Sequence, residues 1–98
     1  MTNDTRTIEL GKQAAESLDD PATAEGFARL EADLIAAWRA SRPQDRDARE
    51  RIYLRLGALD AIRQELRLMR EEGRLAQRAV DAKAKDAATR RALQEMTP

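Results

Sequence analysis

The sequence predicts an all-α protein, and three observations lead to that class. Alanine fills 19 of the 41 hydrophobic positions, aromatic residues make up only 3% of the chain, and 37% of the residues are charged. Three prolines and four glycines leave long stretches uninterrupted. In those stretches apolar residues recur at steps of three and four, which is the period of a helix. A chain of 98 residues forms at most one domain.

The N-terminal segment, about residues 5–18, is predicted as a weak helix. Ile8, Gly11, Ala15 and Leu18 fall at steps of three and four and mark one narrow face.

A second helix is predicted to begin at Pro21, with Asp20 as its N-cap. An aspartate side chain accepts the free N–H groups of a first turn, and proline suits the first position because no donor is needed there. Arg42 precedes Pro43, and this position disfavours helical geometry, so the helix is predicted to end near Ser41. The apolar stripe of this helix is Phe27, Leu30, Leu34 and Trp38.

A third helix is predicted to begin between Asp45 and Asp47 and to end at Glu72, with Gly73 as its C-cap. Its stripe complements that of the second helix, so the two predict an antiparallel helical hairpin over about 21–41 and 46–72. The stripe consists of Ile52, Leu56, Leu59, Ile62, Leu66 and Met69. The predicted hairpin core is Phe27, Leu30, Leu34, Trp38, Ile52, Leu56, Leu59, Ile62 and Leu66.

Three single residues of the hairpin carry further expectations. Gly57 lies in the middle of the third helix, where glycine is unfavourable, so it predicts a close helix crossing. Trp38 is expected to cap the hairpin core against Tyr53 or Ile52, with anchoring in a partner's pocket as the alternative. Tyr53 lies off the main stripe and is expected to be the more exposed aromatic.

A second apolar face adjoins the main stripe of the third helix, and the combined arc is wider than one partner helix covers. The third helix is therefore expected to touch two neighbours. We also expect a homo-oligomer, with a ring as one arrangement, and contacts to another protein. The residues assigned to this interface are Leu54, Ala58, Ala61, Leu68 and Met69.

Residues 1–73 are predicted to form the helical domain, and residues 74–98 a basic, Ala- and Arg-rich helical arm. This arm carries six basic and three acidic residues, whereas residues 1–50 carry 7 basic and 11 acidic ones. The arm could bind phosphates or pair with the acidic half of a neighbouring copy. Its candidate phosphate contacts are Arg74, Arg78, Lys83, Lys85, Arg90 and Arg91.

The composition argues against catalysis. The chain contains no cysteine and no histidine, which removes thiol nucleophiles, imidazole proton transfer and Cys/His metal sites. Asp45, Asp47 and Glu50 are interleaved with arginines and are interpreted as helix-start residues. We therefore expect a non-enzymatic protein with no catalytic residue, cofactor, metal site or small-molecule substrate.

No apolar stretch approaches the roughly 18 residues that a membrane span needs, and the N-terminus lacks the pattern of a secretion signal. The expected location is the cytoplasm, or a particle assembled there, with no membrane partner.

One stretch, about residues 25–76, carries a recognisable set of spaced residues. They are Phe27, Leu30, Leu34, Ile35, Trp38, Arg49, Glu50, Ile52, Tyr53, Leu56, Leu59, Ile62, Gly73, Leu75 and Ala76. This set resembles the short helical-hairpin proteins encoded among the virion and packaging genes of tailed phages and prophages. The resemblance implies a non-enzymatic role in virion assembly or DNA packaging, with a phage particle as the alternative to a cytoplasmic location. The alternative is a protein similar to the small-terminase family, helical rings that present DNA to the packaging motor.

Overall fold

A computed structural model describes residues 3–96, and the regular structure in that range is entirely α-helical, which confirms the all-α class. The helices are α1 (Asn3–Asp19), α2 (Pro21–Ala40) and α3 (Arg46–Glu95). With 50 residues, α3 is about 75 Å long. The molecule is accordingly elongated, with principal dimensions of 84 × 24 × 21 Å.

The break between α1 and α2 forms at the residues that predicted it. The Asp20 carboxylate accepts hydrogen bonds from the Thr23 N–H and the Thr23 hydroxyl, both at 2.9 Å. Pro21 occupies the first turn of α2, where it leaves no donor unsatisfied. The expected N-cap at Asp20 is confirmed.

The connection between α2 and α3 is short and closed by local hydrogen bonds. Ser41 ends α2, and its N–H donates to the carbonyl oxygens of Ala37 and Trp38. Asp45 precedes α3, but its side chain makes no capping bond to that helix. It accepts instead from the backbone N–H and the guanidinium of Arg42. Both predicted boundaries are confirmed.

The predicted end of the third helix at Gly73 is wrong. α3 runs through Gly73 without interruption to Glu95, and no glycine among residues 3–96 has the positive φ of a left-handed C-cap. Gly73 is buried against Gly11 of α1, where a side chain on either residue would collide with the other's backbone. The boundary drawn at residue 73 therefore falls inside one helix.

The close crossing expected at Gly57 is also wrong. Nothing lies within 4 Å of the position that a Cβ atom on Gly57 would occupy. The crossing occurs where α1 packs on α3, and both glycines there are buried. The third helix contacts α1 and α2, as expected, but it meets them in succession along its length.

Two side chains of α3 hold α2 in place. Arg63 forms an ion pair with Glu31, and its guanidinium carbon lies 5.2 Å from the centroid of the Phe27 ring. About 21 Å back toward the start of α3, 14 residues before Arg63, Arg49 contacts Trp38 and Ser41 at the other end of α2. Residues early in α2 thus meet a later part of α3, and residues at the end of α2 meet its first turns.

The buried apolar side chains are Ala14, Leu34 and Leu59, so the core assignment is confirmed for the last two. It is wrong for Leu30 and Ile62, which are 49% and 53% exposed, and for Trp38, which is 38% exposed. Two helices in contact bury only the residues that point directly at each other, and no third layer formed by residues 3–96 covers the flanks of either stripe. The remaining predicted core residues, Phe27, Ile52, Leu56 and Leu66, are half-buried.

Candidate interaction surfaces

The interface predicted on α3 lies largely at the surface. Four of its members are exposed and one, Met69, is half-buried because it lies at the edge of the α1 contact. At 100° per residue the exposed members share one side of α3, turned away from the residues that meet α1 and α2. We call this surface the outer face; its exposed members are Leu54, Ala58, Ala61 and Leu68.

An apolar groove between α2 and α3 adjoins the outer face through Ala58. It exposes two residues that sequence reasoning placed in the core, Leu30 and Ile62, beside the buried pair Leu34 and Leu59. The periodicity that placed Leu30 and Ile62 on the stripes was correct, since both border this groove. What the sequence did not reveal is that nothing in residues 3–96 covers them.

One end of the α2–α3 contact is formed by aromatic side chains. Trp38 and Tyr53 line one shallow groove together with Ile35 and Leu56. Tyr53 is 66% exposed, which confirms it as the more exposed of the two. The Arg49 guanidinium carbon lies 4.7 Å from the centroid of the Trp38 ring, a geometry in which a cation is attracted to the ring face.

A second groove, between α1 and α3, has an apolar floor and a cationic rim. We call it the basic groove. The floor comes from small and aliphatic residues, which let α1 and α3 approach closely. The floor residues are Ile8, Gly11, Ala15 and Gly73, and the rim residues are Lys12, Arg70, Arg74, Gln77 and Arg78.

The structure thus brings together two of the six predicted phosphate contacts, Arg74 and Arg78, and adds Lys12 and Arg70, which sequence reasoning missed. The only signal for those two was their charge, because nothing in the sequence indicated which part of α3 faces α1. The other predicted contacts lie further along α3, where every side chain is exposed. These are Lys83, Lys85, Arg90 and Arg91.

Local hydrogen bonds shift the pKa values of a few exposed groups. The N–H and hydroxyl of Thr23 lower the pKa of Asp20, and the Arg42 guanidinium and N–H lower that of Asp45. Glu71 accepts two hydrogen bonds from Arg74. This pairing lowers the pKa of Glu71 and raises that of Arg74.

The carboxylates at the start of α3 are the acidic group that the sequence offers as a candidate cation site. Asp45, Asp47 and Glu50 do not converge, and no three acidic side chains within residues 3–96 are grouped so that they could hold a metal ion. A search of the same residues for a helix long and apolar enough to cross a bilayer finds none.

Comparisons with known proteins add no family to this description. A scan against models of protein families gave no match, and searches against curated proteins and against solved structures gave none either. The resemblance to phage hairpin proteins therefore stays a prediction from the sequence, and the surfaces described above carry the functional argument.

Proposed function

We propose that this chain is a non-enzymatic structural or assembly protein of the phage or prophage type. It acts through contacts between helices, associates with further copies of itself and binds another protein. Its place of action is the cytoplasm or a particle assembled there. The outer face and the adjoining apolar groove carry these contacts.

The proposal includes an antiparallel hairpin of α2 and α3 as the framework that holds these surfaces. The contacts of Arg63 with Phe27 and Glu31, and of Arg49 with Trp38, support this arrangement because the order of the partners reverses between the two helices. A short connection of residues 41–45 also favours antiparallel neighbours.

The observation that carries the proposal is the placement of the large apolar side chains. Only three apolar side chains in residues 3–96 are buried, whereas Leu30, Leu54, Ile62 and Leu68 are each about half exposed or more on neighbouring surfaces. Covering such side chains removes apolar area from water, and each Å² removed contributes about 25 cal/mol of favourable free energy. A hairpin with so small a core gains stability from a partner that covers these residues.

Sedimentation equilibrium over a concentration series tests self-association. We expect the mass to rise above 11.0 kDa in the micromolar range, and a double substitution of Leu54 and Leu68 by Ser to lower it. The substitution of Leu93 by Ser is the control, because this residue is exposed but lies beyond the outer face. A wild-type protein that stays at the monomer mass throughout would contradict self-association.

DNA packaging is a second candidate, and the exposed basic residues of α3 favour it. The helix continues past the α1 contact as a rod whose side chains are all accessible, so several copies in a ring could present their rods to one duplex. Only part of the charge is available on one side, however. At 100° per residue, Arg74, Arg78 and Lys85 share one side, while the other three basic residues point elsewhere.

Binding of duplex DNA across a salt series distinguishes the two candidates. A packaging protein is expected to lose affinity linearly in the logarithm of the salt concentration. Changing Lys83, Lys85, Arg90 and Arg91 to Gln in the full-length chain should then weaken binding and flatten that dependence. If neither the wild-type protein nor the Gln variant binds DNA, the packaging candidate is wrong and the assembly proposal stands.

A further inference from the structure

The basic groove and the outer side of α3 carry opposite charges at similar spacings. Leu54, Ala61, Leu68 and Leu75 recur every seven residues, so on a helix they form a continuous stripe that drifts only about 20° per repeat. All four are exposed. Two of these residues, Leu68 and Leu75, project 49% and 52% of their surface into solvent. We call this the heptad stripe.

Carboxylates flank the heptad stripe where it passes Leu68. Glu65 and Glu72 lie three residues before and four residues after Leu68, so both fall on the same flank of the stripe. Both are exposed. The ion pairs within residues 3–96 join Arg29 to Glu25, Arg42 to Asp45, Arg63 to Glu31 and Arg74 to Glu71. Glu65 and Glu72 take part in none of them.

The basic groove offers the opposite charges. Lys12 stands on the α1 side of the groove, and Arg70 and Arg78 stand on the α3 side. All three are exposed, and none belongs to the ion pairs named above. The groove floor, with Ile8 and Ala15 on α1, is apolar. A bound segment would therefore need aliphatic side chains toward the floor and carboxylates toward the rim.

The spacing of the two surfaces matches. Glu65 and Glu72 are seven residues apart, about 10 Å along the helix, and Arg70 and Arg78 are eight residues apart, about 12 Å. Ile8 and Ala15 on the groove floor are separated by seven residues, which is also the interval between Leu68 and Leu75. An α-helix placed in the groove would complete a local three-helix bundle.

We propose that the basic groove of one copy binds the heptad stripe of a second copy, with Glu65 and Glu72 facing Arg70 and Arg78. This inference rests on the self-association proposed above and names the two surfaces that meet. Because they differ, the contact is head-to-tail, and each bound copy leaves one groove and one stripe available. Repetition of this contact produces a ring or an open filament.

Charge reversal in the full-length protein tests the pairing. Glu replaces Arg70 and Arg78 in one variant, and Arg replaces Glu65 and Glu72 in another. Each variant alone is expected to raise the dissociation constant for self-association by at least about tenfold, because like charges then oppose each other. An equimolar mixture should recover association, since every stripe finds an oppositely charged groove. The control replaces Arg70 and Arg78 by Lys, which keeps the charge and should keep association.

The outcomes separate this inference from the proposal on which it rests. If the wild type associates and reversal at Arg70 and Arg78 leaves the dissociation constant unchanged, the head-to-tail pairing is wrong and self-association stands. Failure of the mixture to recover association also overturns the pairing. A wild-type protein that remains monomeric contradicts both the head-to-tail pairing and self-association. Circular dichroism checks that each variant stays helical, and the single change Lys12→Glu on α1 replaces the Arg70/Arg78 reversal if that variant does not.

Discussion

Gly11 and Gly73 meet where α1 crosses α3, so closely that a Cβ atom built on either residue would lie 2.7 Å from the Cα atom of the other. The neighbouring backbone is equally near, because the Cβ position of Gly11 is 2.9 Å from the Met69 carbonyl oxygen. Backbone atoms at this distance cannot yield as a flexible side chain would. The crossing therefore requires a hydrogen atom in place of a side chain at both positions.

We expect Gly73→Ala to lower the free energy of unfolding by about 1 to 3 kcal/mol, the usual cost of overpacking a tight contact. The matched control is Gly57→Ala in the same helix, where a methyl group meets nothing within 4 Å. That change should stabilise the protein by about 1 kcal/mol, because alanine is the better helix former. Urea unfolding measures both, and an equal gain in the two variants would contradict the close crossing.

Leu59→Ala should lower the free energy of unfolding by about 2 to 5 kcal/mol, since Leu59 is one of three apolar side chains buried within residues 3–96 and its truncation leaves a cavity. Ile62→Ala serves as the comparison. Ile62 lies three residues later but is half exposed. Its truncation should therefore lower the free energy of unfolding of the monomer by clearly less than that of Leu59. Thermal or urea unfolding at low protein concentration gives both values, and equal losses would be inconsistent with the one-sided packing of α3.

Arg49→Lys should lower the free energy of unfolding by about 1 kcal/mol, because lysine keeps the charge but loses the planar contact with the Trp38 ring. It also loses the hydrogen bond from the Arg49 Nε to the Ser41 hydroxyl, which is 2.8 Å long. The fluorescence of Trp38, the only tryptophan, reports unfolding at this contact. Arg51→Lys, at an exposed position without these contacts, is expected to change stability by less than about 0.5 kcal/mol.

The stability of the protein should fall in acid partly through Asp20. Hydrogen bonds from Thr23 lower the pKa of Asp20 in the folded protein, and the unfolded chain keeps the ordinary value. The stabilisation by the ionised cap is therefore complete above the ordinary pKa and is lost as the pH falls through the lowered one. Asp20→Asn keeps a capping side chain but cannot titrate, so its melting temperature should depend less on pH in this range. An identical acid dependence would exclude this role.

Local signals in the sequence predicted both ends of α2 and the start of α3. Asp20 and Pro21 act through contacts within one turn, so their chemistry can be read without knowing the fold. The apolar period of α2 and α3 likewise identified Leu34 and Leu59, which face each other's helix and are buried. These features depend on neighbours three or four residues away.

The features that the sequence did not predict depend on distant partners. Glycine is the residue typical of a helix end, and only the contact of Gly73 with Gly11, 62 residues earlier, explains why the helix continues. The cations Lys12 and Arg70 are brought to one groove by that same crossing. Leu30 and Ile62 recur at the spacing of a helix face that packs in a core. That spacing does not reveal whether another structural layer covers these two side chains.

The length of α3 also determines how the protein diffuses. The radius of gyration is 22.5 Å, whereas a compact chain of about 100 residues has a value near 13 Å. A rod-like particle experiences more friction than a sphere of equal mass, so a single chain should elute from a gel-filtration column well ahead of globular standards of 11.0 kDa. An early elution volume is thus the expected behaviour of one copy, and the number of copies must be read from mass rather than from size.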